Sequence, residues 1–258
     1  MAVSDWCPAA YARFRGLRLR PALDLLAQVG ALPKGDVIDL GCGNGAVGPA
    51  LAVRFGDHKI IGIDNSPAML ADAAASGAYK RCEAADIAIW HPAKPPALIF
   101  SNAALHWLPD HATLLPRLAD LLAPGGVLAV QMPRQHDAPS HRILRALADD
   151  MFPDGFDHSA WQPPVLGAAE YARALAPLGQ ADVWETDYIQ RLAPDPGAHP
   201  VRRFTESTAM RPIAERLAPA ALAAFIARYE AALAAAYPPE ADGAVLFPFR
   251  RLFFVLQR

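Results

Sequence analysis

VIDLGCGNG, residues 37–45, places an apolar run, an aspartate and three glycines in nine positions. A strand that runs straight into glycines lets backbone approach a ligand closely. A helix opening just after it offers free N–H groups and the positive end of its dipole. AVGPALAVRF (46–55) suits that helix, with Pro49 fitting its first turn. The stretch therefore outlines a strand–turn–helix that holds a nucleotide-like ligand. Gly41, Gly43 and Ala46 also satisfy the relaxed dinucleotide fingerprint, so the turn alone separates neither an adenosyl from a nicotinamide ligand nor either from a purely structural turn.

Outward from the turn the same rhythm continues. PALDLLAQV (21–29) has helical spacing, with Pro21 suited to a first turn and Gly30 as a stop. Residues 58–64 are β-branched and continuous, as a strand buried on both faces should be. Ser66 and Pro67 then supply an N-cap and a first helical residue. Strands are expected at 80–86, 97–102 and 125–132, with a helix over 111–122. Strand and helix alternate, which predicts an α/β fold with a doubly wound, mainly parallel sheet, seven-stranded once the later strands are added. Further on, helices are expected at 138–150, 169–179, 200–216 and 219–235, and strands at 181–192 and 249–257. The implied organisation is an arm and helix (1–30), a Rossmann-like core (31–193 and 246–258) and a helical cap on the substrate side (194–245), inserted before the last strand.

Composition narrows the function. A net charge of −2 over 258 residues, with scattered arginines, provides no field for nucleic acid. The first 20 residues carry Asp5 and several arginines, unlike a signal peptide, and no apolar run is expected to approach membrane-spanning length. A soluble, cytoplasmic protein with no membrane partner is expected. Cys7, Cys42 and Cys82 form neither a disulfide framework nor a zinc pattern, so reduced thiols and no metal are expected. Monomer and homodimer both remain open.

The acidic residues favour one ligand over the other. Asp64, ending the second strand, can take both hydroxyls of a ribose in either ligand class. Asp39, just ahead of the turn, can order the loop or meet an ammonium group, and would repel a pyrophosphate. Asp86 with Ile87 can offer a carboxylate to an adenine amine and an apolar face to its ring. Adenosine with a zwitterionic amino-acid tail fits this set.

At these residues the chain resembles the class I S-adenosylmethionine-dependent methyltransferases, and within them the trans-aconitate 2-methyltransferase family. The segments that carry the resemblance are DWCPAAYARFRGLRLRPALDLL (5–26), VIDLGCGNG, IIGIDNSPAML (60–70), AADIAIW (84–90), residues 98–133 and YEAALAAAYPPEADGAVLFPFRRLFFV (229–255). The resemblance implies methylation of a carboxylate oxygen in a small polycarboxylate, with S-adenosyl-L-methionine as methyl donor. It puts Asp39, Gly41, Cys42, Gly43, Asn44, Asp64, Asn65, Met69, Asp86, Ile87, Asn102 and Arg20 on the cofactor. It puts Trp6, Tyr11, Trp107, Arg211 and Tyr237 on the substrate. The chain departs from the family pattern at Asn44, at His106 and in ESTAMRP (206–212), the last two on the expected substrate side.

An ionised carboxylate meeting a sulfonium methyl requires no general base, so positioning carries the reaction and arginines must hold the spectator charges. Arg211 is the first candidate, matching the family's L-R-P arginine; Arg18 and Arg20 match as well. Trp6, Tyr11 and Phe14 could fold over the cofactor, Trp107 could wall the transfer site, and Tyr237 could donate to a substrate carboxylate. His111 is expected to start a helix beside Asp110. Should the acceptor be a hydroxyl or amine, His106 would be the base. Other open alternatives are another acid, including malonyl on a carrier protein, a nicotinamide oxidoreductase, and a non-catalytic S-adenosylmethionine-binding protein.

Overall fold

A computed structural model describes residues 15–258 of the chain, with side chains from residue 19. In chain order the elements are α1 (Arg15–Gln28), β1 (Val37–Leu40), α2 (Gly48–Arg54), β2 (Ile60–Asp64), α3 (Pro67–Ala75), β3 (Arg81–Ala84) and β4 (Leu98–Asn102). A 3₁₀ turn (Leu105–Trp107) leads to α4 (His111–Asp120), β5 (Val127–Pro133), α5 (Pro139–Met151), α6 (Ala168–Leu175) and β6 (Gln180–Leu192). Then come α7 (Pro200–Glu206), α8 (Arg211–Ala214), α9 (Pro219–Ala236) and β7 (Val245–Gln257).

Among the described residues the strands form one seven-stranded sheet in the order β3-β2-β1-β4-β5-β7-β6. Neighbours from β3 to β5 are parallel, and β7 returns antiparallel to β5. Strand order reverses between β1 and β4, which makes their carboxyl ends the topological switch point where ligands bind in such sheets. Both strands are buried through their apolar residues, as their unbroken Val, Ile and Leu runs require.

Local signals are realised where side chains can satisfy helix ends. Ser66 accepts the Met69 N–H at 3.4 Å with Pro67 behind it, and Pro49 sits in the first turn of α2. His111 opens α4 behind the Asp110 cap. Three local expectations are corrected. Pro21 lies inside α1, not in its first turn, because the Arg- and Leu-rich run RGLRLR extends the helix upstream at the expense of one hydrogen bond. The helix expected over 200–216 breaks into α7 and α8, since Ser207 and Thr208 favour turns and Pro212 restricts the residue before it. The last strand starts at Val245 instead of 249.

The described residues fall into two compact units. The first holds residues up to 133, 164–186 and 251–258. Its core clusters Ile38, Leu40, Ile61 and Ile63 with Leu114, Leu118, Tyr171 and Phe254. The second holds 134–163 and 187–250, and so takes in α5 besides the 194–245 segment. The reason is packing: Tyr229 and Tyr237 reach α5, with the Tyr229 hydroxyl donating to the Ser140 carbonyl at 3.2 Å and the Ser140 N–H donating to the Tyr237 hydroxyl at 3.1 Å. Contrary to the expectation of no membrane-length run, α9 is long and apolar enough to span one by length and composition. Its hydropathy comes largely from alanines, while Phe225, Tyr229 and Leu233 form a buried stripe at helical spacing.

Candidate active site at the carboxyl ends of the first four strands

The glycine turn is shaped by three positive φ angles, +79° at Gly41, +52° at Gly43 and +78° at Gly45. Such angles are costly for residues with a Cβ. Gly41 is fixed by close approach, because a Cβ there would lie 2.2 Å from the Ala104 Cβ and 3.3 Å from the Ile87 Cδ1. The turn is thereby brought against the segments following β3 and β4. A Cβ on Gly43 would meet nothing within 4 Å, so the chain leaves open space over that residue. The Gly41 and Cys42 N–H groups both donate to the Ile63 carbonyl, at 2.8 and 2.9 Å, and anchor the turn to β2.

Asp64 closes the other side. Its Oδ2 accepts the Gly43 N–H at 2.8 Å and its Oδ1 the Ser66 N–H at 2.9 Å, so the carboxylate is aimed beside the turn with lone pairs to spare. Asn65 is exposed and Met69 half-buried at the start of α3. Asp86 is exposed, and its Oδ1 accepts the Ala88 N–H at 2.8 Å. Arg117 clamps this loop by donating to the Ile87 carbonyl at 2.6 Å and the Trp90 carbonyl at 2.8 Å. Ile87 can thus present its side chain beside Gly41.

Asp39 takes the loop-ordering role. Only 1% exposed, it accepts a 2.6 Å hydrogen bond from the Tyr79 hydroxyl. The Tyr79 ring lies in a notch left by glycines, since a Cβ on Gly48 would fall 2.5 Å from it, one on Gly45 2.9 Å and one on Gly62 3.1 Å. Burial pushes the Asp39 carboxyl up to about 7, against the lowering effect of the Tyr79 hydrogen bond, and the charge of Asp64 adds to the rise. The Cys42 thiol donates to the Gly43 carbonyl at 3.6 Å and packs with Leu70 and Ala73, and burial raises its pKa.

After β4, Ala103 takes φ +54°, a strained angle for a residue with a Cβ, and Asn102 has a buried Oδ1 without a hydrogen-bond partner. Trp107 is 62% exposed and its ring tilts against that of His106, centroids 4.6 Å apart. His106 is pushed down to about 3 by burial first, then by the charges of Arg251 and His111. An imidazole so weakly basic is neutral at physiological pH and is a poor proton acceptor, which counts against the base expected for a hydroxyl or amine acceptor.

The remaining candidates are on α1, on α8 and at the end of α9. Arg20 is largely exposed on α1, 3.8 Å from Asp24. Arg211, the first residue of α8, donates at 2.7 Å to the carboxylate of Glu215, which caps that helix. Tyr237, expected to reach a substrate carboxylate, is buried edge-on against Phe247, and its hydroxyl accepts the Ser140 N–H. Trp6 and Tyr11, with Phe14, fall outside the described residues, as does the Arg18 side chain. Asn44 is half-buried in the turn. Tyr79 and Arg117 were missed by sequence reasoning. Among the described residues no group of three His, Cys, Asp or Glu is placed to hold a metal.

The donor set fits S-adenosylmethionine better than a dinucleotide. Open space over Gly43 lies beside the Asp64 carboxylate, which can take ribose hydroxyls, and the buried acid Asp39, just ahead of the turn, is a poor neighbour for a pyrophosphate.

Comparison with known proteins agrees with this geometry. Residues 11–178 match the family model described as a methyltransferase domain. The trans-aconitate 2-methyltransferase of Methylobacterium nodulans is 44% identical, covering 99% of each chain. That of Streptomyces avermitilis is also 44% identical, covering 100% of this chain and 98% of its own. Among solved structures, the YcgJ protein from Bacillus subtilis superposes with a TM-score of 0.56 at 13% identity, covering 93% of this chain and 98% of that one. Phosphoethanolamine N-methyltransferase 2 of Haemonchus contortus, in complex with S-adenosyl-L-methionine, gives 0.52 at 17% identity, covering 92% and 52%. At such identities the structural likeness speaks for the fold alone.

Proposed function

The chain belongs to the trans-aconitate 2-methyltransferase family, and from that premise we propose that it esterifies one carboxylate of trans-aconitate with the methyl group of S-adenosyl-L-methionine. The observation that carries the choice of acceptor is the near-full-length likeness to trans-aconitate 2-methyltransferases at 40 to 44% identity. His106, whose basicity burial lowers, is in keeping with an acceptor that arrives already ionised.

When bound, S-adenosyl-L-methionine supplies a sulfonium methyl, an electrophile that a carboxylate takes without loss of a proton. Gly41, Gly43 and Asn44 cradle it with backbone, and Asp64 and Asn65 take the ribose. Met69, Asp86 and Ile87 hold the adenine, Asp39 through Tyr79 keeps the turn in shape, and Arg20 is assigned to the cofactor. Trp107 excludes water, and Arg211, with Trp6 and Tyr11 of the N-terminal arm, holds the substrate's spectator charge. The partner is thus a free small polycarboxylate met in the cytoplasm, an assignment supported by the free thiols of Cys42 and Cys82.

The test is transfer of a labelled methyl group onto a panel of mono-, di- and tricarboxylates together with hydroxyl and amine acceptors. Label in tricarboxylates is expected. Label confined to hydroxyls or amines would overturn the proposal.

A further inference from the structure

Gln131 lies in the middle of the sheet with no exposed surface, yet neither its Oε1 nor its Nε2 has a hydrogen-bond partner. Its neighbours across the sheet make this more pointed. In register, Asn102 pairs with Gln131, Gln131 with Phe253, and Pro133 with Arg251. The two-residue period of a strand therefore puts Asn102, Gln131, Phe253 and Arg251 on one face, at the carboxyl edge of β4 and β5. Asn102 Oδ1 and His106 Nδ1 are likewise buried without partners. Arg251 is only 5% exposed, and it is close enough to His106 for its charge to disfavour protonation there. Phe253, stacked on Trp184 with ring centroids 5.0 Å apart, supplies the apolar neighbour.

Buried amides and imidazoles without partners are rare in folded proteins, and four such atoms sharing one patch with a buried guanidinium need a common explanation. We propose that Gln131 and Arg251, with Asn102 and His106 beside them, form the subsite that holds a spectator carboxylate of the substrate. The chemistry selects this ligand. Gln131 and His106 offer N–H donors, and either end of the Asn102 amide can face inward. The Arg251 guanidinium supplies a positive charge in a low-dielectric setting, where a planar anion with two acceptor oxygens is favoured over a neutral hydroxyl. The patch adjoins the strained Ala103, whose N–H donates to the Gln131 carbonyl at 2.8 Å, and the neighbouring Ala104 touches the glycine turn. A carboxylate held here stands next to the position proposed for methyl transfer. The inference rests on the functional proposal above and deepens it, because trans-aconitate carries two spectator carboxylates and a second holding point besides Arg211 is needed.

The test uses the full chain saturated with S-adenosyl-L-homocysteine, titrated calorimetrically with trans-aconitate, for the unmodified protein and for Gln131→Leu and Arg251→Lys. Gln131→Leu should weaken the tricarboxylate about tenfold or more, leave S-adenosyl-L-homocysteine within twofold, and raise the melting temperature, since it removes two unsatisfied polar atoms. Arg251→Lys should weaken the tricarboxylate about ten- to a hundredfold, because an ammonium cannot reproduce the two-pronged contact. If the unmodified enzyme methylates trans-aconitate and Gln131→Leu binds it equally well, the subsite is wrong while the activity stands. If Gln131→Leu melts lower and loses both ligands together, the glutamine is structural and the inference fails. A protein that binds no carboxylate and forms no ester would sink the functional proposal, and the subsite with it.

Discussion

The Tyr79 hydroxyl donates a 2.6 Å hydrogen bond to the Oδ2 of Asp39, forty residues away in sequence, across the back of the glycine turn. The tyrosine ring occupies space that Gly45, Gly48 and Gly62 leave, so the carboxylate, the ring and the glycines hold one another in place. The loop that would cradle the cofactor is therefore set from behind by a buried acid whose pKa burial has raised to about 7.

Because that pKa is higher in the folded than in the unfolded chain, the native state binds the extra proton between pH 4 and 7. Stability contributed by this site is lost as pH rises through that window. Asp39→Asn should remove the dependence. Between pH 5 and 8 its stability should rise relative to the unmodified protein by on the order of 3 kcal/mol, read from urea unfolding. Parallel pH curves for the two proteins would show that Asp39 ionises normally.

His106 has the opposite sign. Its folded pKa of about 3 lies below the unfolded value, so the unfolded chain binds more protons as pH falls below about 6.5, and stability is lost there. His106→Gln should be less sensitive to acid, with a relative gain of roughly 2 kcal/mol at pH 5. Because glutamine keeps an N–H donor for the proposed carboxylate subsite, its turnover at neutral pH with saturating trans-aconitate should stay within a few-fold of the unmodified enzyme. Loss of turnover at saturating trans-aconitate in a folded His106→Gln protein would restore the histidine as a base.

Asp64 has two duties, since its oxygens accept the Gly43 and Ser66 N–H groups besides any ribose hydroxyl. Asp64→Ala should cost about 1.5 to 3 kcal/mol in S-adenosyl-L-methionine affinity by calorimetry, the range for hydrogen bonds to a charged group. Asp64→Asn, which keeps one acceptor, should fall between. An alanine variant with affinity within twofold of the original would remove Asp64 from the ribose.

Gly43 separates ligand space from protein space. A methyl group there touches no protein atom, so Gly43→Ala should cost only about 1 to 2 kcal/mol of stability, for its φ of +52°. Gly43→Val should fold yet lose detectable S-adenosyl-L-methionine binding, because its branches enter the space assigned to the ligand. Retained binding would mean that the ligand does not approach there.

How much of this was legible in the sequence depends on the range of the interaction. Ser66, Pro67 and Pro49 act within one helical turn, and β1, β2, β4 and β5 are apolar runs bounded by turn residues, so these elements and the parallel order were readable. The break at 207–210 was signalled by Ser207, Thr208 and Pro212, yet the surrounding apolar spacing outweighed them. Tyr79 was not readable, because its notch is assembled from three glycines on separate elements. Gln131 did carry a signal, a lone amide in VLAVQMP, but its importance emerges only when Asn102 and Arg251 are paired beside it in the sheet. The burial that disarms His106 was hidden too, since Leu105 is buried and Trp107 exposed on either side of it.

The most direct measurement is mass spectrometry of the small-molecule products after the enzyme is incubated with trans-aconitate and S-adenosyl-L-methionine carrying a deuterated methyl group. The account predicts equal amounts of S-adenosyl-L-homocysteine and a monomethyl ester that holds the intact deuterated methyl and releases it as methanol in mild alkali. S-adenosyl-L-methionine bound by the protein but left unconsumed, or a methyl group that resists alkali because it sits on carbon, nitrogen or an ether oxygen, would contradict it.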